Sequence, residues 1–180
     1  MKNKTIALGI LLMAISCARN TTFLITDDQV GKLHKTNTVK DLETIFEGDS
    51  VVNDTFEENK ELRSKRIKIF EKGGALLMTL TPNKDSVQTL ENVRIEDPRF
   101  VSEKGIGLNS TFKDINANYT IDKIITAMNN IVVTVKGSNL YFTISKEELP
   151  GNIRFSSTPI EAVQIPDEAK IKYVMIAWNP

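Results

Sequence analysis

The sequence predicts an α+β fold, mainly antiparallel β-sheet with short helices, in which a turn-helix-strands unit is used twice. Three observations predict it. Apolar residues fall mostly in short alternating or continuous runs. Glycine, proline and asparagine turns separate these runs. Only two segments carry apolar residues at helical spacing, and each opens on a capping threonine.

In chain order, Phe23-Leu24-Ile25-Thr26 reads as a first short strand. Thr38 then caps a helix over residues 38–46, with Asp41 three residues on as capping-box partner and Val39, Leu42, Ile45 and Phe46 as its stripe. A strand follows in which Ile67 and Ile69 lie on one face and Lys68 and Phe70 on the other. Gly73-Gly74 turns the chain into residues 75–81, a strand apolar enough to be buried on both faces. After the turn at residues 82–85, residues 87–95 read as a further strand. Thr111 caps the second helix over residues 111–119, with Asp114 at the same offset and Phe112, Ile115 and Tyr119 as the stripe. Residues 131–135 and 140–144 form a hairpin around Lys136-Gly137-Ser138-Asn139, and residues 171–178 make the last strand.

The two helical segments align with each other: Thr-Val-Lys-Asp-Leu at 38–42 matches Thr-Phe-Lys-Asp-Ile at 111–115. Each follows a glycine and an apolar hook, Val30-Gly31-Lys32-Leu33 and Gly105-Ile106-Gly107-Leu108. The expected organisation is a leader over 1–17, a polar tether over 18–22, and one domain over 23–180 with repeat halves 23–96 and 97–180.

The leader is the most specific signal. Lys2 and Lys4 precede an uncharged apolar run far shorter than the roughly 20 residues a spanning helix needs. The run ends Ala14-Ile15-Ser16-Cys17, a small residue directly before the sole cysteine, as in a lipobox; Ala14 stands where leucine is usual. A disulfide-using secreted domain would carry several cysteines, so Cys17 is expected to be lipid-modified rather than paired. With no Asp after Cys17, the expected location is the outer membrane of a bacterial cell envelope, lipid-anchored and facing the periplasm.

Composition narrows the chemistry. Taking Lys2 and Lys4 from the 23 basic residues leaves 21 against 23 acidic ones, which is no footprint for nucleic acid. The basic run Arg63-Ser64-Lys65-Arg66 reads as a solvated strand face. One histidine, His34, read as lying in an exposed loop, cannot assemble a metal centre or a Ser-His-Asp site alone. Gly105 and Gly107 lack the spacing and lysine of a phosphate loop. The acid pairs Asp27-Asp28, Glu57-Glu58, Glu96-Asp97 and Glu147-Glu148 miss the register of a calcium loop. No catalytic, cofactor-binding or metal-binding residue is assigned. Candidate contact residues are Gly105 and Gly107 in an exposed turn, and the aromatics Tyr119, Tyr141 and Trp178, the last beside Tyr173. A second expectation places a small-ligand or glycan cleft between the halves, lined by Tyr119, Tyr141 and Asn139.

The order of Cys17, Val30-Gly31, the helix from Val39, Asp97-Pro98-Arg99-Phe100, residues 103–111 and Ile165-Pro166-Asp167 running to Trp178 resembles a group of uncharacterised bacterial envelope lipoproteins, including the kind described as envelope-stress-regulated. The resemblance implies location and fold and carries no catalytic residues. The glycine-hook-helix unit is also similar to small outer-membrane lipoproteins that assist β-barrel assembly. The partners so implied are the membrane, through lipid on Cys17, and other envelope proteins, with no cofactor.

Overall fold

The computed structural model describes residues 21–55, 65–84, 88–156 and 158–178; the leader with Cys17, Glu57-Glu58 and Arg63-Ser64 lie outside them. The fold is α+β and mostly antiparallel sheet, as predicted. A hook of three two-residue strands comes first: β1 (Leu24–Ile25), β2 (Gln29–Val30) and β3 (Leu33–His34). A 3-10 turn, Val39–Asp41, runs into α1 (Leu42–Ile45), and a meander follows: β4 (Ser50–Thr55), β5 (Lys65–Phe70), β6 (Leu76–Pro82) and β7 (Leu90–Ile95). The pattern then repeats with β8 (Val101–Ser102), α2 (Phe112–Asn118), β9 (Ile121–Thr126), β10 (Asn130–Val135) and β11 (Leu140–Ser145). A long connection holding α3 (Gly151–Arg154) and two 3-10 turns leads to β12 (Ile171–Ala177).

The strands assemble as one eight-stranded sheet in the order β4-β5-β6-β7-β12-β11-β10-β9, and a smaller sheet in the order β3-β2-β1-β8. The last strand of each meander, β7 or β12, thus lies at the centre of the large sheet, antiparallel to the other. β1 and β8 pair in parallel, so the two hooks are joined in turn.

The two units match in detail. Asp41 Oδ2 accepts from Thr38 N at 2.7 Å and Thr38 Oγ1 at 2.9 Å. Asp114 Oδ2 accepts from Thr111 N at 2.8 Å and Thr111 Oγ1 at 3.1 Å. Each cap satisfies amides at a helix start that would otherwise lack partners. Each threonine also bridges the residue just before the last strand of its own meander, Thr38 to Thr89 and Thr111 to Lys170. The next residue repeats the match, with Val39 N donating to Gln88 O and Phe112 N to Ala169 O.

One face of the large sheet builds the core. Ile67, Leu80, Val93, Ile176, Leu140 and Val133 alternate with outward residues along their strands and are buried. Leu42, Phe46, Phe112 and Ile115 from the helices, and Ile25, Val30 and Leu33 from the hook, pack into the same cluster. Burial at roughly 1.5–3 kcal/mol per large side chain makes this cluster the main source of stability.

Several expectations are corrected. The first helix is a 3-10 turn and one α turn, with Phe46 as C-cap. His34 ends β3 rather than lying in a loop, and its Nδ1 sits 2.8 Å from Thr36 Oγ1. The strand expected over 87–95 begins at Leu90. Strands β4 and β9 occur where none was predicted.

Candidate functional site

Each hook grips the opposite half. In the first, Asp27 Oδ1 accepts from Ser138 Oγ at 2.6 Å and Asn139 N at 2.8 Å, holding the β10–β11 turn. Its backbone carbonyl accepts from Trp178 Nε1 at 3.1 Å. In the second, Arg99 donates to Asp97 through Nε at 3.0 Å and Nη2 at 2.8 Å, and to Glu71 Oε2 at 2.7 Å beside the β5–β6 turn. Arg99 also lies 4.2 Å over the ring of Phe23, which meets Phe100 edge-on at 5.1 Å. The Arg99 guanidinium holds the nearly buried Asp97 carboxyl below its ordinary range. The acids of these pairs therefore serve as clasps.

The predicted contact residues separate on this scaffold. Gly105 is exposed with φ of +77°, a conformation favouring glycine in the tight turn that reverses the chain after β8. Gly107 is buried instead: a Cβ there would lie 2.5 Å from Phe100 O, so the glycine permits close packing and presents no contact surface. Ile106 in the same turn is also buried. Trp178 is half-buried against the core and tied to Asp27.

Tyr119 and Tyr141 face away from each other. Tyr119 packs on Phe142, with ring centroids 6.0 Å apart, and therefore lies on the core side. Tyr141 precedes Phe142 in β11 and must point to the opposite side. The cleft expected among Tyr119, Tyr141 and Asn139 is not formed. Tyr119 instead borders a recess of about 130 Å³ with Lys104, whose Nζ is 4.3 Å from the ring. Burial raises the hydroxyl pKa of Tyr119 and of Tyr141.

Tyr141 belongs to the other face of the large sheet. Cross-strand register lines up Lys123, Thr134, Tyr141, Met175, Arg94, Thr79, Lys68 and Val52 in one row across all eight strands. A second row joins Ile125, Val132, Thr143 and Tyr173. Val52, Lys123 and Ile125 on this face are exposed and Lys68, Arg94, Val132, Thr134, Tyr141, Tyr173 and Met175 half-buried, so this is the sheet's open face, with only the small Thr79 and Thr143 of these rows buried within it.

The open face is fixed in place at its centre. Tyr141 Oη accepts from Asn92 Nδ2. Arg94 donates through Nε to Glu96 Oε1 at 2.6 Å, stacks 4.9 Å over Tyr173, and shares Glu96 with Thr79 Oγ1 at 2.8 Å. Tyrosine and arginine held in one conformation beside a methionine suit a contact surface, because little of their rotamer freedom remains to be lost on docking. Sequence reasoning named Tyr141 and Tyr173 but missed Asn92, Arg94 and Met175. Period-two alternation of β12, which puts Tyr173 and Met175 together, was the available signal.

Among the described residues, no three His, Cys, Asp or Glu side chains converge as a metal ion requires, and no helix is long and apolar enough to cross a membrane. No protein-family profile and no curated protein matches the chain. A solved structure does: the uncharacterized protein yfeY from Escherichia coli, with a TM-score of 0.57 and 14% identity, over 85% of this chain and 98% of that one. At that identity the likeness establishes a shared fold alone.

Proposed function

We propose that this chain is a lipid-anchored protein of the bacterial cell envelope, held by Cys17, that acts as a non-enzymatic contact module through the open face of its large sheet. The observation that carries this reading is the cluster of Tyr141, Asn92, Tyr173 and Arg94, bonded and stacked beside Met175 on the face of the large sheet opposite the core. The lipobox-like ending at Cys17 supports the anchor.

The test is photocrosslinking in cells with a light-activated residue at Thr134 or Ile125, alongside intact mass of the purified protein. The expected result is one defined crosslinked partner, lost in Tyr173→Ala and Arg94→Ala variants whose melting midpoints stay near wild type. Acyl chains on Cys17 would accompany it. Crosslinks that survive both substitutions would remove the open face as the contact surface. A mature protein without acyl chains would remove the anchor.

A further inference from the structure

A second surface lies at one end of the large sheet. The β9–β10 turn, the start of the connection after β11 and the end of α3 enclose a groove of about 560 Å³. Met128 and Phe155 stand at it 89% and 85% exposed, in a protein whose large apolar side chains are mostly buried. Lys146, Arg154 and Lys172 line it with one acid, Glu147, for a net charge of +2. No ion pair neutralises these cations among the described residues. Lys172 Nζ donates to the Asn130 side-chain oxygen at 3.3 Å and lies 5.5 Å from the centroid of the Tyr173 ring, contacts that leave its charge unneutralised. Arg154 is held rigid by the carbonyls of Lys146, Glu147 and Leu149 at 3.1, 2.6 and 3.2 Å. Two protruding apolar side chains among fixed cations match the interfacial zone of a bilayer, where apolar tips enter and cations meet headgroups.

Phe23, near the first described residue, lies at this same end. Strand register places the β5–β6 turn, the β9–β10 turn and the start of β12 together at one end of the sheet. Phe23 is stacked under Arg99, which binds Glu71 beside the β5–β6 turn. Cys17 precedes Thr21 by four residues, a reach of at most about 14 Å. Five strand spacings, about 24 Å, separate the two turns across the sheet. A lipid at Cys17 therefore keeps the groove's end of the sheet toward the bilayer.

We infer that this groove docks on an anionic lipid surface, with Met128 and Phe155 in the headgroup zone and Lys146, Arg154 and Lys172 against lipid phosphates. The inference rests on the anchor proposed above and adds a second point of membrane contact, which sets the open sheet face at a fixed orientation to the bilayer.

The experiment uses the full lipidated chain carrying Phe155→Trp in a Trp178→Phe background, reconstituted in phosphatidylcholine vesicles with and without phosphatidylglycerol. A dye-labelled Met128→Cys variant serves as a second reporter should Trp178→Phe unfold. The expected result is blue-shifted emission, quenched by chain-brominated lipid, in the anionic vesicles. Lys146→Gln with Lys172→Gln lowers the ratio of docked to free groove roughly 25-fold, about fivefold per cation removed. Water-like emission on anionic vesicles overturns the inference, as does a shift indifferent to phosphatidylglycerol and to both lysines. A shift that grows with protein concentration without vesicles assigns the groove to a second copy and equally overturns it. Intact mass reports the anchor separately, so an unlipidated Cys17 defeats that proposal while the response of the same chain to added anionic vesicles still decides the groove.

Discussion

Replacing Gly107 by alanine tests whether close packing of the two hooks holds the fold together. The added Cβ would lie 2.5 Å from Phe100 O and 3.1 Å from Val101 Cγ1. The first is about 1 Å short of an ordinary contact, and a backbone atom cannot rotate away as a side chain can. The segment cannot retreat freely either. Val101 N donates to Phe23 O at 3.0 Å, Val101 bridges Gly107, and the Phe100 ring is buried. Overpacking of this kind costs about 1–3 kcal/mol. Lower entropy of the unfolded chain returns about 0.4–1 kcal/mol. The net is a loss of up to about 2.6 kcal/mol, centred on about 1.3, or a fall in melting temperature centred on roughly 3–5 °C for a domain of this size. Thermal and urea unfolding followed by Trp178 fluorescence measures it. Gly151→Ala is the control, since nothing lies within 4 Å of its added Cβ and its φ is not in the left-handed region; it should stabilise by about 0.4–1 kcal/mol. Equal melting temperatures for wild type and Gly107→Ala would show that the hooks yield, and the packing argument would fall.

Thr38→Ala and Thr111→Ala should each cost about 1 kcal/mol in urea unfolding. The double variant should lose the sum, because the caps share no partner. Asp97 titrates below its usual value when folded, so its clasp contributes fully above the unfolded-state pKa of about 3.9 and is lost as pH falls through the lower folded-state value. Unfolding free energy plotted against pH should therefore bend downward below about pH 4 in wild type and less so in Asp97→Asn. Asp27→Ala strips the acceptor from Ser138 and Asn139 and should cost about 1 kcal/mol per lost bond. Hydrogen exchange at the Asn139 amide should speed up, while Trp178, bonded to the Asp27 backbone, keeps its emission.

The elements legible in the sequence are those fixed by local chemistry. Both capping boxes, the Gly73-Gly74 turn and the β10–β11 hairpin needed only neighbouring residues. Strand β9 was not legible because its residues read both ways: Ile121 and Ile124 pack inward, Ile125 is 51% exposed, and Asp122 and Lys123 suit an edge. The two-residue strand β8 was hidden because its strand partner is β1, across most of the first half. The centre of the sheet was hidden for the same reason, since no local signal tells β7 to choose β12. Of the candidate site, the placement of Tyr141 opposite Phe142 followed from alternation alone. The burial of Gly107 depended on a carbonyl seven residues earlier and was not readable.

The central position of β12 dictates an order of events. A chain emerging from its N-terminus can complete the meander β4 to β7 early, and then β9 to β11, as two separate surfaces. The hooks can link the halves before that, but the half-sheets cannot become one sheet until residues 171–177 arrive, because β12 alone pairs with both β7 and β11. Trp178 then closes on Asp27, across 151 residues of sequence. Contacts of such separation are slow to form, since the whole intervening loop must be ordered first. The strand made last is thus the one that turns two half-sheets into one, and loss of those few C-terminal residues would leave two exposed edges in place of a domain.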